Sequence, residues 1–182
     1  GTSGGSDVLI TGNTAVTHSG SGTTILTGNN TYTGTTTISA GTLRIGNGGN
    51  TGSLGTGDVT NNGLLRFNLD NGFVALTIAN NFSGTGDIEV DNDSATASFK
   101  FTGTNDSDGG FTVEDGRVLF EGNGNFTYSG DTTVDLGAQL TTSALGSGDQ
   151  LSSNSAHTIN GILRITSTSN SVIGSLAGSG QV

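Results

Sequence analysis

The sequence predicts an all-β fold, a parallel β-helix whose short strands coil into a solenoid. Apolar clusters alternate with Thr, Arg, Glu or Lys, Gly- and Asn-rich turns separate the clusters, and one block of sequence returns later in the same internal order. Alternation of period two turns one face of a strand inward. A sandwich or a barrel would satisfy that pattern as well. The recurrence selects the solenoid, in which each coil presents the same kinds of residue to a stacked column.

The clusters run, in order, through Val8 to Ile10, Ile25 and Leu26, Leu43 and Ile45, Leu64 to Phe67, Val74 to Ile78, and Ile88 with Val90. They continue with Phe99 and Phe101, Phe111 and Val113, Val118 to Phe120, Val134, Ile159, Ile162 to Ile165, and Val172 with Ile173. "TLRIG", "DIEVD" and "SFKFT" show the alternation directly, and no window sustains helical spacing. Between clusters, "NGG", "GTGD", "NNG", "DGG", "GNGN" and "GSGD" supply tight turns. "NNTYTGTTTISAGTL" at Asn29 returns as "GNFTYSGDTTVDLGAQL" at Gly124, so that Tyr32, Gly34 and Ile38 answer Tyr128, Gly130 and Val134. "SLGTGDVTNNGLLRF" at Ser53 returns as "ALGSGDQL" at Ala144 followed by "TINGILRI" at Thr158. With about 4.8 Å between coils, the chain makes a rod roughly 35 to 40 Å long, one solenoid segment over residues 1–182.

Composition fits a thin core. Leu, Ile, Val and Phe form roughly a quarter of the 182 residues, Gly contributes 33, and Pro is absent. One or two inward side chains per strand fill a coil only a few side chains across, while Thr suits the outward faces. The formal net charge of −10 repels a phosphate backbone or an anionic bilayer, which argues against nucleic acid as a partner. With no Cys there is neither a disulfide framework nor thiolate chemistry. No apolar run approaches the roughly twenty residues that would insert into a membrane.

The stretch "LTGNNTYTGTTTISAGTLRIGNGGNTGSLGTGDVTNNGLLRFN", Leu26 to Asn68, resembles the autotransporter-associated β-strand repeat of large Gram-negative adhesins. Gly124 to Thr166 resembles it more loosely, and Leu69 to Asn123 shares only the general pattern. The resemblance implies a right-handed, single-stranded parallel β-helix, exported and displayed on the bacterial cell surface as a stalk or passenger segment of an adhesin. It implies extracellular partners, a surface glycan or protein or another copy of the chain, and it brings no catalytic residue. The sequence starts and stops in mid-repeat, so the expectation is a segment of a longer solenoid.

Within that frame the residues leave some alternatives. β-Helices also host polysaccharide lyases and glycoside hydrolases, which need converging carboxylates. "GDIEVDND" sets Asp87, Glu89, Asp91 and Asp93 on one side of a strand, opposite Ile88 and Val90. Asp106, Asp108, Glu114 and Asp115 extend the acidic character. Their first reading is a solvated face. Their second is calcium, the one cofactor considered, with Asp87, Glu89, Asp91, Asp93, Asp106 and Asp108 as candidate ligands because hard cations take clustered oxygens. "NDSDGG" at Asn105 lacks the closing Glu of a calcium loop. Catalysis ranks last, and the expectation is that the chain is not an enzyme.

Arg44, Arg66 and Arg164 share the contexts "TLRIG", "LLRFN" and "ILRIT", which points to one repeated outward position. Lys100, between Phe99 and Phe101, is expected to turn its ammonium to water. His18 and His157 stand alone, without the spacing of a zinc site. The Gly-rich "GNGGNTGSLGTGD" reads as a corner, lacking the Lys and helix of a phosphate loop. An ice-binding face would need one outward Thr array on successive coils, and the Thr-rich pattern of "TYTGTTTIS" returns only at "GDTTVD", interrupted by Asp131.

Overall fold

A computed structural model describes residues 9–70, 72, 75–92, 98–121, 126–143, 151–166 and 173–182. Val8, Val74, Asp93, Val172 and the "ALGSGDQ" part of the second repeat fall outside the described residues. Among those described, every regular element is a β-strand, and all strand pairs are parallel. Parallel neighbours with non-consecutive numbering, stacked in the same order on three faces, define a β-solenoid.

The four-stranded face comprises β1 (Val16–His18), β3 (Thr36–Ile38), β5 (Val59–Asn61) and β8 (Phe82–Ser83). The eight-stranded face is built from β2 (Thr23–Leu26), β4 (Thr42–Gly49), β6 (Leu64–Leu69), β9 (Asp87–Asp91), β11 (Phe111–Asp115), β13 (Thr132–Val134), β15 (Ala156–Ile159) and β17 (Ser175–Ala177). The five-stranded face holds β7 (Leu76–Ile78), β10 (Ser98–Phe101), β12 (Arg117–Glu121), β14 (Gln139–Ser143) and β16 (Ile162–Ile165). Single bridges from Phe82 to Asn105 and from Asn105 to Phe126 carry the four-stranded face two rungs further. At the spacing of neighbouring strands, the eight-stranded stack is about 34 Å long.

Register converts the sequence alternation into columns. On the eight-stranded face Ile45, Phe67, Val90, Val113, Val134 and Ile159 lie one above the next, all buried. On the five-stranded face Phe99, Val118, Leu140 and Leu163 do the same. The buried phenylalanine rings concentrate in the middle rungs. There Phe101 packs against the rings of Phe67, Phe82, Phe111 and Phe120, drawn from all three faces, with centroids 5.3 to 6.0 Å away. Phe120 in turn stacks on Phe126 at 4.2 Å.

The corners explain the glycine content. Between β11 and β12, which belong to different faces, there is one residue, Gly116; its φ of +74° turns the chain where a side chain would be strained. At another corner Gly41, Gly63, Gly86, Gly109 and Gly130 follow one another up the rod. A Cβ on Gly109 would lie 2.0 Å from the carbonyl oxygen of Gly86, so this column sets how closely the rungs approach. The run "GNGG", expected as a corner, instead completes β4, and Gly49 pairs with Leu69 after a shift in register.

The two sequence repeats keep their local geometry and change their face. In the first, the Tyr32 hydroxyl meets Thr36 Oγ1 at 2.8 Å; in the second, the Tyr128 hydroxyl meets Thr132 Oγ1 at 2.7 Å, and both rings are fully buried. Thr36–Ile38 belongs to the four-stranded face, whereas Thr132–Val134 belongs to the eight-stranded one. Arg164 is displaced likewise, onto the five-stranded face, away from the column of Arg44 and Arg66.

Candidate functional site

Among the described residues, a dense group of charges lies on the outer surface of the eight-stranded face. β4, β6 and β9 bring Arg44, Arg66 and Glu89 into one outward column, and the inward neighbours Leu43, Leu65 and Ile88 fix that orientation. Arg66 Nη1 donates to Glu89 Oε2 at 2.8 Å and to Glu114 Oε1 at 3.2 Å; Nη2 donates to Asp91 Oδ2 at 3.0 Å and also pairs with Glu114. Asn68 Nδ2 donates to the same Asp91 oxygen at 2.7 Å. One guanidinium therefore gathers three carboxylates from two neighbouring strands. Burial, with the nearby negative charges of Glu89 and Asp91, holds the Glu114 carboxyl above the ordinary glutamate range against the opposing pull of Arg66.

The acidic run divides. Asp87, Glu89 and Asp91 lie on the outer side of β9, with Ile88 and Val90 buried behind them. Glu89 and Asp91 join Arg66, whereas Asp87 accepts the Gly110 amide at 2.7 Å. Asp106 and Asp108 are exposed beyond the four-stranded face, and Asp108 accepts the Ser129 hydroxyl at 2.9 Å. Asp93 lies outside the described residues. Among the described residues no three His, Asp or Glu side chains are grouped to hold a metal ion. The partnership of Arg66 with Glu114 is not legible in the sequence, where the two are far apart and only register reveals them as neighbours.

Elsewhere Lys100 lies outward between buried Phe99 and Phe101 and pairs with Glu121. His18 is buried, its Nε2 donating to the Gly22 carbonyl at 3.2 Å while Nδ1 accepts the Thr24 hydroxyl at 3.0 Å. The outward hydroxyls are more regular than "GDTTVD" suggests: register aligns Thr17, Thr37, Thr60 and Ser83 on four successive rungs. Asn105 bridges Phe82, so the next outward residue is the carboxylate of Asp106, which ends the array.

Because the three carboxylates share one cation, the partners are expected to differ in worth. Arg66→Met should lower stability by about 1 to 2 kcal/mol, since partly exposed ion pairs contribute little singly and loss of this one leaves like charges together. Glu114→Gln should change stability by no more than about 0.5 kcal/mol at neutral pH, because the charge it removes is already disfavoured there. Urea midpoints of the two variants at low and moderate salt check the contrast.

The described chain is thus a parallel β-solenoid with an ion-paired outer face. Residues 16–45 match the passenger-associated transport repeat family, a stretch that runs from β1 into β4. The chain is 53% identical over 58 residues, 32% of its length, to a protein named Adhesin BmaC autotransporter from Brucella suis biovar 1 (strain 1330), of which the match covers 2%. No solved structure matches the chain.

Proposed function

We propose that the chain is a non-enzymatic passenger segment of a surface-displayed, autotransporter-type adhesin, holding or presenting contacts to a glycan or protein on another surface. The observation that carries this reading is the stacking of repeat-bearing rungs into one parallel solenoid, together with similarity to an autotransporter adhesin. Such a stack resists shortening because every rung is hydrogen-bonded to the next over its strands, which suits a stiff projection. The reading assigns no cofactor. Glu89 and Asp91, at the centre of the acidic run, have Arg66 as their counter-charge.

The test displays the segment on non-adherent Gram-negative cells and measures attachment to host cells and immobilised glycans, with the purified segment assayed against polysaccharides. The expected result is greater attachment than with cells lacking the segment, and no polysaccharide turnover. Cleavage of pectin, alginate or glycosaminoglycan, abolished by Asp87→Asn or Glu89→Gln, would replace this reading with an enzymatic one.

A further inference from the structure

His157 belongs to the column in which apolar residues give way to polar ones. Leu43, Leu65, Ile88 and Phe111 are followed on the next rungs by Thr132 and His157, and then by Leu176. Its ring is almost wholly buried. Nε2 lies 3.0 Å from the Ser152 carbonyl oxygen, which can only accept, so that nitrogen carries the proton and Nδ1 is the bare one. Nδ1 has no protein hydrogen-bond partner, unlike Nδ1 of His18, which takes the Thr24 hydroxyl.

The hydroxyls close by are already engaged. Tyr128 bonds Thr132, and Thr132 Oγ1 meets Ser155 Oγ at 3.1 Å, while Ser155 also donates to the Ala156 carbonyl. Of the titratable groups packed around this ring among the described residues, Tyr128 is held neutral by burial, its phenol pushed up to about 12. Asp131, in the turn before β13, is the one charge that acts on the imidazole. β17, on the far side, offers Ser175, Leu176 and Ala177, none of them titratable.

From this arrangement we infer that His157 is an acid-sensitive clasp: protonation at Nδ1 places a cation in a buried site with no protein acceptor, and the rungs of β15 and β17 loosen from β13. Burial lowers the affinity of His157 for a proton, opposed by the Ser152 carbonyl and by Asp131. The unfolded chain therefore binds the proton more readily than the folded one. The contribution of the neutral ring to stability is fully present above the ordinary imidazole value of 6.5 and is lost as pH falls from there to the lower value of the folded state. Loosening would uncover one edge of β13, with its unpaired amides and carbonyls, at the acidic end of the range.

Hydrogen exchange between pH 7.5 and 5, corrected for intrinsic rates, tests the clasp. Amides of β15 and β17 should lose protection about tenfold for each unit by which folding lowers the His157 pKa, while β4 and β6 hold theirs. His157→Gln keeps a donor for the Ser152 carbonyl and should remove the pH dependence. Asp131→Asn should deepen it. Equal pH dependence in wild type and His157→Gln overturns the proposal. Should His157→Gln fail to fold, NMR titration of the two imidazoles in the wild type decides, and a His157 ring that titrates at or above the ordinary value overturns it equally.

Discussion

Phe101→Ala is expected to cost about 3 to 5 kcal/mol, the range for emptying a buried aromatic site. The side chain is 2% exposed and touches the rings of Phe67, Phe82, Phe111 and Phe120, so the cavity opens where all three faces converge. A globular core could relax into such a hole from several directions. Here each rung is fixed to its neighbours by parallel ladders, and β10 is tied to both β7 and β12. Urea denaturation followed by circular dichroism gives the value. A loss below about 1 kcal/mol would mean that the aromatic cluster does not anchor the rod.

The second large effect comes from adding a single methyl group. Gly109→Ala places a Cβ 2.0 Å from the Gly86 carbonyl oxygen and 2.4 Å from its carbonyl carbon, both backbone atoms that cannot swing away. The rungs must separate locally, which lengthens the bonds from Asp108 N to the Gly84 carbonyl and from Ile88 N to the Gly110 carbonyl. The expected loss is about 3 kcal/mol or more, at the upper end of overpacking costs. Gly137→Ala is the control. Gly137, unlike Gly109, has a positive φ, and nothing lies within 4 Å of its Cβ position, so backbone strain acts there without crowding, roughly 1 kcal/mol. Melting temperatures of the pair separate crowding between rungs from dihedral strain. Equal losses would remove the glycine column as the determinant of close approach.

Much of the architecture was readable because its physics is local. "DIEVD" and "SFKFT" alternate, and β9 and β10 bury Ile88, Val90, Phe99 and Phe101 while turning Glu89 and Lys100 outward. Short strands between Gly-rich turns require something to stack on, and the recurrence named a solenoid. Register was not readable. Thr17, Thr37, Thr60 and Ser83 come from unlike sequence contexts, and only the differing lengths of the connections bring them into line. The same blindness concealed the ion-paired group: the acidic side of β9 followed from alternation, but Arg66 and Glu114 reach it from other strands. It also made Arg164 look equivalent to Arg66, because "GILR" and "GLLR" each follow a corner, and nothing in the letters says which corner.

The Tyr–Thr corner works on whichever face the chain happens to be crossing when it arrives. Inserting another copy therefore need not add a whole number of circuits, and the unit tolerates slippage that would ruin a barrel. Markings borne by successive copies would then wind around the shaft like the thread of a screw, and anything gripping several of them at once would have to spiral with it.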